Sequence, residues 1–339
     1  MPIKQLCVEI IRQEKEGITA SFVKPFLLFL SYPFRAISGL RSYFYDKGYF
    51  KSVDAGIFVI SVGNIVAGGS GKTPYVISLA QKLKKQHKVA VLLRGFGGLN
   101  EKTKTPLLVL ETTSSLKAGD EAVLIKRHLK DCLVIACKDR VKGAQFAKSQ
   151  GATLVILDDG FQHRRLFRNE DVVIIDGSNP FGFNHFLPRG FLRESPKALN
   201  RADKVIVNGE FSKDLSNQIS QFTQAPITYI YNEVSGLYNL EDQKVHWPDK
   251  GEKVAIFCAI GNPQRFFTTV ANLGFNVVAS YNEIDHKQPE EEKLIEFALK
   301  AKEMGAKFIV CTEKDRVKIK DKINLTLPIL WIGITCKGD

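Results

Sequence analysis

The chain has 339 residues, 44% hydrophobic and 25% charged, a balance that excludes a disordered or fibrous polypeptide. Its 48 Lys and Arg against 36 Asp and Glu, formally +12, favour an anionic partner: nucleic acid, acidic membrane or a phosphorylated substrate. Six cysteines without CxxC spacing give no zinc site and fit a reducing compartment. At about 150 residues per domain, this length suggests two lobes with a cleft between them.

Residues 18–50 are greasy but interrupted. Lys24 and Arg35 split the apolar run, and Pro25 and Pro33 are expected to disturb a continuous helix. The charge-free piece from Pro25 to Phe34 falls short of the roughly 20 residues that span a bilayer. Phe44, Tyr45, Tyr49 and Phe50 interleave with Arg41, Lys47 and Lys51, a composition suited to an anionic headgroup boundary. Residues 1–53 therefore read as a monotopic, membrane-associating segment, with a helix packed on the catalytic lobe as the alternative.

From Gly56 onward, short apolar runs alternate with amphipathic stretches. Strands are expected at Ile57–Val62, Val89–Leu93, Leu133–Ala136, Leu154–Leu157, Val172–Ile175 and Lys204–Val207, with helices at 74–86, 120–129 and 140–150 between them. This pattern predicts an α/β fold: a doubly wound, mostly parallel sheet covered on both faces, with ligands at the carboxyl ends of its strands. Lys72, Arg94, Asp158 and Asp176 all fall at or just after such ends.

Between about 213 and 249 the helical alternation stops, and two extended segments, 227–231 and 234–240, suggest a hinge ribbon. A second βα series follows to 334. The expected division is 1–53, a phosphate-loop kinase core at 54–224, and a smaller α/β lobe at 225–339.

Gly68-Gly69-Ser70-Gly71-Lys72-Thr73 lies between the first strand and the first helix of the core. Small residues there let backbone N–H groups surround polyphosphate oxygens, Lys72 can reach the transferring phosphate, and Thr73 can ligate Mg²⁺. The loop reads as a nucleoside-triphosphate site rather than a plain glycine-rich turn. It is a variant, since Val66 stands where the usual pattern has glycine.

The apolar strand 154–157 ends in Asp158-Asp159-Gly160, which supplies hard oxygen ligands for Mg²⁺ or, more plainly, a β-turn. Asp120 opens a helix and suits either an N-cap or the acceptor of a substrate hydroxyl proton. His286 sits just beyond a strand of the second lobe, where it can meet an acid of the first. Arg94, Arg140, Arg164, Arg165, Arg189 and Arg193 are candidate phosphate clamps. No nucleic-acid-binding module stands out.

Several strings, taken in order, resemble the tetraacyldisaccharide 4′-kinases of Gram-negative lipid A biosynthesis over nearly the whole chain. They are Ser61-Val62-Gly63-Asn64 leading into the phosphate loop, Arg94-Gly95-Phe96-Gly97, Gly119-Asp120-Glu121, and Leu157-Asp158-Asp159-Gly160-Phe161-Gln162-His163. Pro188-Arg189-Gly190, Leu192-Arg193-Glu194, Gly261-Asn262-Pro263, Asp285-His286 and Thr312-Glu313-Lys314-Asp315 complete the set. Phe96 replaces the family's usual tyrosine, and Lys287 a common aromatic.

The resemblance implies a peripheral enzyme at the cytoplasmic face of the bacterial inner membrane. It would move the γ-phosphoryl of ATP to the 4′-hydroxyl of an acylated glucosamine disaccharide 1-phosphate, giving lipid IVA. On this chain it implies Lys72 and Thr73 for ATP and Mg²⁺, Asp158 and Asp159 for the metal region, Asp120 as proton acceptor and His286 as its support. Arg94, Arg140, Gln162, His163 and Arg193 would line the cleft. A different class, a membrane-recruited nucleotide switch with no small-molecule acceptor, would use the same loop and anchor.

Overall fold

A computed structural model describes residues 8–12, 17–261, 263–283, 289–319 and 323–338. Continuous apolar runs form the strands β1 (Phe58–Gly63), β2 (Val89–Leu93), β4 (Leu133–Ala136), β5 (Leu154–Asp158), β6 (Glu170–Asp176) and β7 (Lys204–Asn208). A short β3 (Leu107–Leu108) closes the edge by pairing antiparallel with β4. The other pairs among these strands are parallel, in the order β7-β6-β1-β5-β2-β4.

Both faces of this sheet are buried, which is why its strands lack polar alternation. Ile60, Val91 and Ile156 point toward α2 (Lys72–Leu83) and α4 (Asp120–His128), where they meet Tyr75, Val76, Ala80, Ala122 and Ile125. Val59, Ala90, Val155 and Leu157 face the other way, onto Val141, Ala144 and Ala147 of α5 (Arg140–Ser149). Burying each large aliphatic side chain stabilises the fold by about 1.5–3 kcal/mol. The turn α3 (Ser115–Ala118) leads directly into α4.

In this order the chain leaves β1 toward β2 on one side and leaves its neighbour β5 toward β6 on the other, so the connections diverge at the β1/β5 pair. That switch point opens a crevice at the carboxyl ends of β1, β5 and β6.

The region expected to lack helix contains α6 (Lys213–Ser220), whose Ser212 cap accepts a hydrogen bond from Leu215 N. Only Leu215 and Ile219 of this helix are buried, too few to give a readable apolar period. The two expected extended segments are one strand, β8 (Ile227–Tyr238). Its first residues pair parallel with β7, and residues 231–238 pair antiparallel with β13 (Ile329–Lys337). A two-residue β9 (Lys244–Val245) folds back on β8.

Beyond β13 lie β12 (Phe308–Thr312), β10 (Lys253–Cys258) and β11 (Asn276–Asn282), all parallel. The helices α7 (Pro263–Asn272), α8 (Glu291–Glu303) and α9 (Glu313–Arg316) complete this half. β8 thus joins both halves into one continuous sheet.

Pro25 and Pro33 do not break the N-terminal segment: α1 (Ile18–Asp46) is a continuous 29-residue helix. Anchoring along one face offsets the lost N–H groups. Ser31 Oγ lies 2.9 Å from Phe186 O, Ser38 Oγ donates to Arg193 O at 2.9 Å, and Arg41 Nη2 donates to Gln162 O at 2.7 Å. The opposite face is apolar and open, with Phe22 75% and Phe29 69% exposed, along with Phe26, Ile37 and Leu40. Among the described residues, no helix is long and apolar enough to cross a membrane.

Candidate active site

The phosphate loop is held in shape by two asparagines, Asn64 and Asn208, and a third, Asn232, packs close against it. Gly71 caps α2 in a left-handed conformation, φ 84°, and a Cβ there would sit 2.3 Å from Asn208 Nδ2 and 3.0 Å from Asn232 Nδ2. Only glycine fits. Asn208 Nδ2 donates to Ser70 O and Asn64 Nδ2 to Ser70 Oγ, each at 3.1 Å. Gly68 and Gly69 are exposed at the tip. Val66, the departure from the usual pattern, pairs as an antiparallel bridge with Leu192, a contact that extended backbone makes and that does not call for glycine.

Lys72 and Thr73 form the first turn of α2, where backbone N–H groups and the helix dipole favour phosphate. Lys72 Nζ lies 3.4 Å from Asp159 Oδ1. Arg193 Nη1 meets both oxygens of the same carboxylate at 2.9 Å and Gln162 Oε1 at 3.4 Å. Burial opposes the Asp159 charge, but Lys72 and Arg193 outweigh it and hold the carboxyl well below the usual range. Asp159 has φ 53°, a conformation aspartate tolerates better than most residues.

Asp158 is different. It ends β5, is 3% exposed, and its Oδ1 has no hydrogen-bond partner among the described residues. Burial pushes its pKa up to about 7; Glu121 and Asp159 add to the rise and Lys72 opposes it. Asp158 therefore feels charge from the start of α2, through Lys72, and from the start of α4, through Glu121.

Asp120 is the first residue of α4 after the cap Gly119. A Cβ on Gly119 would lie 2.5 Å from Phe96 O, and one on Gly98 would lie 2.5 Å from Gly119 N. The glycines of the 94–98 loop thus let backbone pack on backbone, which fixes where Asp120 emerges. From the C-terminal half, Lys318 Nζ approaches Asp120 Oδ2 at 3.7 Å.

Arg140 begins α5, is buried, and donates to Cys137 O at 2.7 Å; burial pulls its pKa down to about 10, so it stays cationic at neutral pH. His163 is pulled down to about 4 by burial and by Arg140, so it is a neutral imidazole there. Gln162 Nε2 donates to Asn64 O at 2.8 Å, tying the two loops together. Arg94 is half-exposed and paired with Glu101 at 2.7 Å. Charge coupling links Arg94, Arg140, His163, Asp158 and Asp159 as one neighbourhood.

Lys72, Thr73, Asp158, Asp159, Arg140, Gln162, His163 and Arg193 thus gather about the switch-point crevice, and Asp120 opens the helix whose next residue, Glu121, acts on Asp158 by charge. Arg164 and Arg165 instead pair with Asp46 and Asp139. His286 lies outside the described residues. Sequence reasoning missed Asn208, whose only signal is an amide ending an apolar strand, and Lys318, three positions after Asp315. No group of three or more His, Cys, Asp or Glu among the described residues could hold a metal alone.

Comparison with known proteins identifies the family. The profile of the tetraacyldisaccharide-1-P 4′-kinase family matches residues 23–337. A tetraacyldisaccharide 4′-kinase of Syntrophus aciditrophicus is 38% identical over 317 residues, covering 87% of this chain and 84% of that protein. One from Halothermothrix orenii is 31% identical, covering 99% and 95%. The crystal structure of LpxK from Aquifex aeolicus in complex with ATP superposes with a TM-score of 0.74 at 30% identity, covering 94% of this chain and 95% of that one. The chain belongs to the tetraacyldisaccharide-1-P 4′-kinase family.

Proposed function

We propose that this protein transfers the γ-phosphoryl group of ATP to the 4′-hydroxyl of tetraacyldisaccharide 1-phosphate, forming lipid IVA. The observation that carries the reading is Lys72, in the first turn of α2 just after the 68–71 loop, standing 3.4 Å from Asp159 in the turn that follows β5. Phosphoryl transfer needs little covalent help from protein, so positioning and charge supply the rate.

In this reading the 68–71 backbone and Lys72 cradle the phosphates, and Asp159 with Arg193 keeps Lys72 extended into the crevice. Asp120 accepts the proton of the sugar hydroxyl as it attacks, and Arg140 and Arg94 offer positive charge to substrate phosphate. His163 contributes hydrogen bonding rather than charge.

The donor set suits Mg²⁺. Asp158 Oδ1 is a buried oxygen with no hydrogen-bond partner among the described residues, and Thr73 follows the phosphate-loop lysine, as a hard cation that keeps phosphate and water ligands requires. Thr73 and Asp158 would hold it, with Asp159 beside them. When bound, the ion neutralises charge developing on the phosphoryl oxygens.

Residues 1–53 moor the enzyme, 54–224 carry the phosphate machinery, and 225–339 close over it. The open apolar face of α1 supports peripheral attachment to the cytoplasmic face of the inner membrane. Because α1 is bonded to the 160–165 and 182–193 loops, mooring also places the crevice beside the lipid surface.

The test is to incubate purified protein with γ-labelled ATP and tetraacyldisaccharide 1-phosphate, then extract the lipid. Label in the lipid supports the kinase; ATP turnover with none supports a nucleotide switch.

A further inference from the structure

One short block of the C-terminal half fastens onto the helix that begins at Asp120. Thr312 Oγ1 caps α9, accepting from Asp315 N at 3.1 Å and donating to Asp315 Oδ2 at 2.7 Å. Glu313 Oε1 meets His128 Nε2 at 2.5 Å, and Lys314 Nζ lies 3.6 Å from Glu121 Oε1, so α9 grips both ends of α4. Fully buried Asp315 holds Lys318 Nζ at 2.9 Å. The same ammonium donates to Ala259 O at 2.9 Å and stands 3.7 Å from Asp120 Oδ2.

The Lys318 side chain is 0% exposed, and burying a cation so fully is costly unless carboxylates or other acceptors face it. Asp315 alone would serve that purpose. Instead the ammonium stands between Asp315 and Asp120, which belong to opposite halves of the chain. At 3.7 Å it acts on Asp120 by charge rather than by donating a hydrogen bond. Glu121, the next residue of the helix, has a cation of its own from the same half, Lys314 at 3.6 Å.

We propose that Lys318 is a positioning residue for Asp120. Reaching across from the C-terminal half, its buried ammonium orients the Asp120 carboxylate toward the acceptor hydroxyl. A competent proton acceptor thereby depends on the two halves being docked. The inference rests on the reading of Asp120 as proton acceptor.

The test uses the full-length Asp315→Asn/Lys318→Met double variant, which removes the cation together with its fully buried partner carboxylate. Glycolipid phosphorylation should lose about 10- to 100-fold in kcat, with KM for ATP within about twofold of wild type. The same pair of changes placed in an Asp120→Asn background should lower the residual rate by less than about threefold, because the group it acts through is gone. An equal loss in both backgrounds, or an unchanged kcat, overturns the inference. If the pair loses its melting transition, Lys318→Gln carries the test: it keeps a donor for Ala259 O, and kcat within about threefold of wild type overturns the proposal. Full activity in Asp120→Asn alone refutes the proton-acceptor reading instead, a result distinct from either.

Discussion

Lys72 Nζ and Asp159 Oδ1 face each other at 3.4 Å, joining the helix after β1 to the turn after β5. Arg193, from a third segment, completes the cluster at 2.9 Å. Asp159→Asn should free both cations and lower kcat/KM for ATP by about 10- to 100-fold, chiefly through KM. Steady-state kinetics with varied ATP would show this, and an unchanged KM would separate Asp159 from nucleotide placement.

Asp158→Asn leaves the shape of the crevice but removes a buried carboxylate that can ligate a cation. The Mg²⁺ concentration needed for half-maximal activity should rise about tenfold or more. A magnesium titration at saturating ATP measures it; an unchanged midpoint would move the ion away from Asp158.

Phe22, Phe26 and Phe29 project from α1 away from the protein body. Replacing all three with serine should release most of the protein from anionic vesicles while leaving ATP binding unaltered. Flotation assays report the first and nucleotide titration the second. Raised salt should detach the wild type only in part, because charge and apolar insertion both contribute. Undiminished flotation of the variant would assign attachment to another surface.

His128 and Glu313 tie α4 to α9, and the Glu313 hydrogen bond raises the His128 pKa despite burial. A raised histidine contributes stability that is fully present below its ordinary value and is lost as pH climbs through the raised one. His128→Asn should therefore destabilise more at about pH 5.5 than at about pH 9, by at most about 1 kcal/mol since the ring is partly exposed. Melting curves at both values decide the sign. Equal destabilisation would mean that packing, not charge, is what His128 supplies.

Much of the fold was legible because strands covered on both faces must be apolar throughout, as Val89–Leu93 and Leu154–Leu157 are. β8 was harder: Asn232, Glu233, Ser235 and Gly236 break its apolar run, and pairing with β13, distant in sequence, holds it extended. Likewise α1 survives two prolines through bonds to residues more than a hundred positions away. In the site, Lys72, Asp158 and Asp159 were readable because the chain packs their chemistry into contiguous strings. Asn208 and Lys318 were not, because each earns its role only from what the fold sets opposite it.

Single-turnover transfer of labelled γ-phosphoryl to the glycolipid, with ATP binding measured on the same samples, tests most directly whether Lys72 and Asp120 serve one reaction. Lys72→Ala should weaken ATP binding and transfer together. Asp120→Asn should bind ATP like the wild type yet transfer at least about 100-fold more slowly. Wild-type transfer by Asp120→Asn would contradict the account.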